Sequence, residues 1–81
     1  MGFVVYILFN ESLQKYYVGQ TADIERRIHD HNSGKANFTS KGIPWQLVHY
    51  FPCINRSEAT KVETSIKKRG IQRYLEDRNI L

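Results

Sequence analysis

Phe3-Val4-Val5-Tyr6-Ile7-Leu8-Phe9 and, after a polar interval, Lys15-Tyr16-Tyr17-Val18-Gly19 form the stretch whose reading decides the fold. The first run is short, unbroken and rich in β-branched and aromatic residues, which suits a strand covered on both faces. Asn10-Glu11-Ser12-Leu13-Gln14 is turn-like, so the second run reads as the returning strand of an antiparallel hairpin. Tyr6 and Tyr17 then sit on paired strands and can converge over one face. Tyr16 points to the other side and reads as packing.

Outward from the hairpin, Thr21 is placed to cap a helix over about residues 22 to 33, with Asp23 and Glu25 suiting the positive end of its dipole. Ile24, Ile28 and His31 share one side of it, and Asn32-Ser33-Gly34 supplies the stop, glycine being free to turn left-handed. Residues 35 to 44 look irregular. Trp45 to Phe51 reads as a third strand, central or well covered, with Trp45, Leu47, His49 and Phe51 on one face and Gln46, Val48 and Tyr50 on the other; Pro52 ends it. Ser57 caps a second helix with an apolar stripe of Ala59, Val62 and Ile66, closed by Gly70. Ile71, Tyr74 and Leu75 suggest a short third helix. The expected fold is α+β: a small three-stranded antiparallel sheet with helices packed against it, in the order ββαβαα.

The 81 residues make a single domain, 1–81, with room for one compact core. Its aromatic and aliphatic residues are therefore read first as core, including Tyr50, Tyr74 and Trp45, the last an anchor before it is a base-stacking ring. A net charge of +4 and a pI near 9.4 lean toward a polyanionic partner. Arg26, Lys61, Lys67, Lys68, Arg69 and Arg73 fall on expected helices, and Lys35 and Lys41 in the loop between helix and strand. Of these, Arg26, Lys35, Lys41 and Lys67 are the candidate nucleic-acid contacts. The one cysteine, Cys53, excludes an internal disulfide and a Cys-rich zinc site and reads as a small apolar residue. No apolar run is long enough to span a membrane and no signal peptide is recognisable, so a cytoplasmic location and no membrane partner are expected. His29 and His49 lack a partner at metal-ligand spacing and read as surface or strand residues.

Hydrolysing a phosphodiester needs a deprotonated water, neutralised phosphorane charge and help for the leaving oxygen. Glu63 lies beside the buried stripe of its helix, where a carboxylate can bind Mg²⁺ through one bond and leave waters on the ion. The plainer alternative is an i, i+4 salt bridge to Lys67. Arg27 and His31 are also i, i+4. An arginine stays charged and can fork two donors onto phosphate; the histidine can accept a phenolic proton or orient a ring. Each, alone, reads as a solvated arginine and a satisfied core-edge histidine. A phenol titrates at about 10, so Tyr6 or Tyr17 needs nearby positive charge to act as a base.

Together these residues resemble the GIY-YIG nuclease family over nearly the whole chain. Val4-Val5-Tyr6 stands where the family has Gly-Ile-Tyr, and Tyr17-Val18-Gly19 where it has Tyr-Ile-Gly. Gly19 to Gly34 is similar to the strand end and first helix, placing the family's arginine at Arg27 and its histidine at His31. Glu58-Ala59-Thr60-Lys61-Val62-Glu63 is similar to the helix whose last glutamate binds the metal. Val4 departs from the family glycine, and the family's C-terminal asparagine is not assigned, Asn79 lying near the chain end.

The resemblance implies a metal-dependent endonuclease acting in repair or recombination, with Tyr6, Tyr17, Arg27, His31 and Glu63 catalytic. One tyrosine would activate water and the other position phosphate, with Tyr6 acting through His31 the favoured order. Glu63 would hold one Mg²⁺ or Mn²⁺. DNA is the expected partner with RNA left open, no small-molecule cofactor is expected, and the oligomeric state is left open. The rival reading is a non-catalytic nucleic-acid-binding module that keeps the fold. The five groups are expected to converge on one concave surface.

Overall fold

The computed structural model describes residues 2–34 and 44–81. The elements run β1 (Phe3–Asn10), β2 (Lys15–Thr21), α1 (Ile24–Ser33), β3 (Gln46–Cys53), α2 (Arg56–Arg69) and α3 (Ile71–Asp77). The architecture is α+β in the expected order, and the sheet is wholly antiparallel with strand order β2-β1-β3.

The central strand is β1, as its unbroken apolar run requires. Val5, Tyr6, Ile7 and Leu8 are all buried, and alternate residues serve two different cores. Val5 and Ile7 face α2 and α3, where they pack with Val18, Cys53, Ala59, Ile66, Tyr74 and Leu75. Tyr6 and Leu8 face α1, where they pack with Trp45, Tyr17, Ile24 and Ile28. Each fully buried aliphatic side chain contributes about 1.5–3 kcal/mol relative to exposure, so a thin sheet stays stable by burying both of its faces.

Two helix starts and the third strand correct the sequence reading. α1 begins at Ile24, and its cap is Asp23, whose carboxylate accepts from the Arg26 N–H at 3.2 Å. Thr21 is the last residue of β2, and its hydroxyl accepts from the Asp23 N–H instead, shaping the turn into the helix. α2 is capped by Asn55, not Ser57: Asn55 Oδ1 accepts from the Glu58 N–H while Glu58 Oε1 accepts from the Ile54 N–H. This is a reciprocal cap set two residues earlier than expected. The expected stop at Gly34 is present, with φ 85° and its N–H donating to the Asp30 carbonyl.

β3 is an edge strand, not a central one, and Pro52 lies inside it, where an edge tolerates the missing N–H. Its pairing with β1 slips between Ile7↔His49 and Leu8↔Leu47, leaving Val48 as an extra residue. That bulge resets the alternation. Trp45 joins the α1 core, whereas Val48 and Phe51 pack on the α2/α3 side. Tyr50 is therefore not core: it is 50% exposed beside β1. Tyr74, Trp45 and Cys53 are buried as expected.

Candidate active site

Tyr6 is carried on the central strand and His31 on the last turn of α1, and the helix stop at Gly34 fixes where that turn ends. Their side chains meet in the α1 core, with the Tyr6 hydroxyl 2.9 Å from His31 Nε2. Both residues are buried, at 1% exposure each, so this is a hydrogen bond in a water-poor setting. Tyr17 completes the group from β2. Its ring centroid lies 4.9 Å from that of His31 and 6.3 Å from that of Tyr6. Trp45 closes the far side, edge-on to Tyr17.

Gly19 is what lets the Tyr6 phenol occupy this place. The two residues are cross-strand partners. A Cβ on Gly19 would stand 2.6 Å from the Tyr6 hydroxyl oxygen and 2.8 Å from its Cζ, inside any permitted contact. The phenol thus lies across the backbone of β2 and carries its hydroxyl toward the open edge of the sheet.

Burial pushes the Tyr6 phenol up to about 12, opposed by the hydrogen bond and charge of Arg27 and reinforced by Tyr17 and Glu63. Burial, then the Arg27 charge, hold His31 below the ordinary imidazole value, against a smaller opposite pull from Asp30. Near neutral pH the pair is therefore a protonated phenol hydrogen-bonded to an uncharged imidazole. Arg27 lies exposed on α1 with its guanidinium against the Tyr6 hydroxyl, which raises its own pKa. Neighbouring Arg26 is exposed as well.

Glu63 arrives from the other side. α2 covers the face opposite the tyrosines, so the expectation of five groups on one concave face is corrected: Tyr6, Tyr17, Arg27 and His31 gather on the α1 side, while Glu63 is held from the α2 side at β2. Glu63 Oε1 accepts from the Gln20 side-chain amide on β2 at 3.3 Å, and Oε2 pairs with Lys67 Nζ at 2.8 Å. Its charge is felt at the Tyr6 phenol, and the Lys67 ammonium is held above its ordinary value first by Glu63 and, least, by Tyr17. Lys67 is thus engaged in the i, i+4 bridge that its spacing allowed. The candidate contacts Lys35 and Lys41 lie outside the described residues.

Among the described residues no three His, Cys, Asp or Glu side chains group as a metal cage. A lone carboxylate with 18% of its side chain exposed suits an ion that keeps most of its waters, as Mg²⁺ does, provided Lys67 yields Oε2 to it. It does not suit zinc, which is held by at least three His, Cys or carboxylate ligands. The residues present therefore fit Mg²⁺ or Mn²⁺ through Glu63 alone.

Two residues of the site escaped the sequence reading. Gln20 falls just past the expected strand and carries no local signal, since its partners Thr60 and Glu63 lie 40 and 43 positions away. Asn32 looked only like a helix terminator. Its side chain also brackets the Trp45 backbone across 13 residues.

Fold and site together define a small α+β domain that brings a buried tyrosine–histidine pair, a second tyrosine and an arginine together on one face of the sheet, with one carboxylate held at β2. The chain belongs to the GIY-YIG family: the model of the GIY-YIG catalytic domain matches residues 2–74. It is 41% identical over 54 residues to a UPF0213 protein of Listeria welshimeri, a match spanning 65% of this chain and 60% of that protein. It is 40% identical over 67 residues to the structure-specific endonuclease subunit slx1 of Schizosaccharomyces pombe, covering 75% of this chain and 24% of that one. The chain thus spans less than two thirds of these curated relatives. The solution structure of a UPF0213 protein from Bacillus halodurans superposes with a TM-score of 0.60 at 31% identity, covering 99% of this chain and 85% of that one. None of the helices in the described residues is long and apolar enough to cross a membrane.

Proposed function

We propose that this chain is a metal-dependent endonuclease that hydrolyses DNA phosphodiester bonds, in repair or recombination. The observation that carries the reading is the buried 2.9 Å hydrogen bond between the Tyr6 hydroxyl and His31 Nε2, with Arg27 against the same oxygen. A structural tyrosine has no need of a neutral imidazole and a guanidinium on one hydroxyl.

Tyr6 passes its proton to His31 Nε2 while its oxygen takes a proton from the attacking water. Two protons each move along one hydrogen bond, for a net transfer of one from water to imidazole, and no free phenolate forms, which accords with a phenol held at about 12. Arg27 covers the hydroxyl in the free protein and forks onto the phosphate when substrate arrives, uncovering it and balancing the developing charge. Tyr17, half-buried beside His31, positions the phosphate. Glu63 would hold a Mg²⁺ or Mn²⁺ ion, which when bound supplies Lewis-acid charge to the phosphate and the water. Arg26, Lys35, Lys41 and Lys67 add phosphate contacts without reading sequence.

The Schizosaccharomyces pombe relative is a structure-specific endonuclease subunit by name, and branched duplexes are accordingly the substrates of first choice. The test is incubation with labelled branched, nicked, linear and single-stranded DNA and RNA, with and without Mn²⁺. Metal-dependent cuts in branched DNA are expected. Retention of these substrates without any cut under every metal condition would make the chain a binding module.

A further inference from the structure

Gln20 stands next to Gly19 on β2 but on the opposite side of the sheet, since its cross-strand partner is Val5. Its Nε2 donates to Thr60 Oγ1 at 3.1 Å and to Glu63 Oε1 at 3.3 Å. Its own Oε1 is buried and finds no donor. Turning the amide over would set that oxygen against the Glu63 carboxylate, lone pair to lone pair. The orientation is therefore dictated by the carboxylate, and the acceptor end of the amide is left unsatisfied in consequence. A glutamine serving only to tie β2 to α2 would be expected to satisfy both ends, because a buried unpaired carbonyl is costly.

We infer that Gln20 is a positioning residue for Glu63: it holds one carboxylate oxygen at the β2 edge and orients the other toward the cation site. The inference rests on the reading of Glu63 as the metal ligand. Lys67 pairs with the other oxygen, Oε2, at 2.8 Å. Lys67 is exposed and long, so it can yield that oxygen to a divalent ion, whereas Gln20 is fixed by its strand and stays. Gly19 and Gln20 thereby serve the two sides of one site from adjacent positions, the first by making room for the Tyr6 phenol and the second by holding the carboxylate.

The test is direct Mn²⁺ binding to the full chain without nucleic acid, by calorimetry or by loss of the free-ion paramagnetic signal, with thermal melting alongside. The variants are Glu63→Gln, Gln20→Ala, Gln20→Met and Thr60→Val. Gln20→Met keeps length and packing while removing the donors, which guards against a variant that merely misfolds. Loss of an outer partner of a metal ligand costs about 10–100-fold in affinity, and that loss is expected for both Gln20 variants, with cleavage recovering at high Mn²⁺. Thr60→Val, which leaves the donor to Glu63 in place, should bind as the parent does. Parent-like Mn²⁺ affinity in Gln20→Met, alongside its loss in Glu63→Gln, would overturn the inference and leave the functional reading intact. Parent-like affinity in Glu63→Gln would overturn the functional reading, and this inference with it.

Discussion

The Asn32 side chain clasps the backbone of Trp45 from both sides, its Oδ1 accepting the Trp45 N–H at 2.6 Å and its amide donating to the Trp45 carbonyl at 3.1 Å. The end of α1, which carries His31, is in this way fastened to the entry of β3. Asn32→Ala removes two hydrogen bonds from a buried backbone and should cost about 1–3 kcal/mol, read as a lower denaturant midpoint at unchanged slope. A loss of under roughly 0.5 kcal/mol, the ordinary range for a surface change, would mean the clasp does not hold the two elements together.

Gly19→Ala should damage the site more than the fold. The new methyl meets the Tyr6 hydroxyl and Cζ, and the ring is confined by Tyr17 and His31, so the phenol must leave its hydrogen bond. Overpacking of this kind costs about 1–3 kcal/mol. Cleavage is expected to fall by at least tenfold, while metal-free DNA binding, which depends on the basic side chains, should persist. Parent-level cleavage by Gly19→Ala would show that the hydroxyl need not lie where it does.

Legibility followed the range of the interactions. The hairpin, the tyrosine pair and the i, i+4 relation of Arg27 to His31 are local periodicities, and a sequence displays them directly. The place of β3 was not legible, because Val48 bulges out of register with β1 and alternation counted from Trp45 then assigns Tyr50 to the wrong side. Both helix starts slipped for a related reason. Thr21 and Ser57 are good caps by type, but Asp23 and Asn55 have the backbone that a cap requires, extended with φ −137° and −157°. The clasp of Asn32 and the hold of Gln20 on Glu63 join residues far apart in the chain, and no local pattern announces them.

Two pH effects of opposite sign follow from the buried pair. His31 sits below its unfolded value, so stability is full above an unfolded pKa of about 6.5 and is lost as pH falls through the folded value. Cleavage needs the uncharged imidazole and should decline over the same acid range, with a midpoint below that of a free histidine. Tyr6 sits above its unfolded value, at about 12 against 10.0, so the folded state keeps a proton that the unfolded state releases. Stability should then fall as pH rises, by roughly 1–1.5 kcal/mol between about pH 9 and pH 11. Urea unfolding of parent and Tyr6→Phe at both ends tests this. An equal alkaline loss in Tyr6→Phe would assign it to other groups.

Glu63 separates an enzyme from a binding module. In the proposed mechanism it holds the divalent ion, so Glu63→Ala should abolish cleavage. Metal-free DNA binding should survive or tighten, because a negative charge at the β2 edge has gone and Lys67 is released from its 2.8 Å pair. The fold should lose little beyond the Gln20 hydrogen bond, worth about 0.5–1.5 kcal/mol: an i, i+4 pair with an exposed lysine adds only about 0.3–0.5 kcal/mol, and alanine is a good helix former. Arg27→Ala should behave differently. Its guanidinium meets the phosphate in both ground and transition states, so cleavage and binding should weaken together, and the salt dependence of binding should drop by nearly one contact, a slope change of about 0.9. Cleavage rates, metal-free affinity at several salt concentrations and thermal melts of the parent and both variants decide the matter. A Glu63→Ala protein that still cuts would end the metal assignment, and an Arg27→Ala protein that binds with the parent's affinity and salt slope would remove Arg27 from the phosphate.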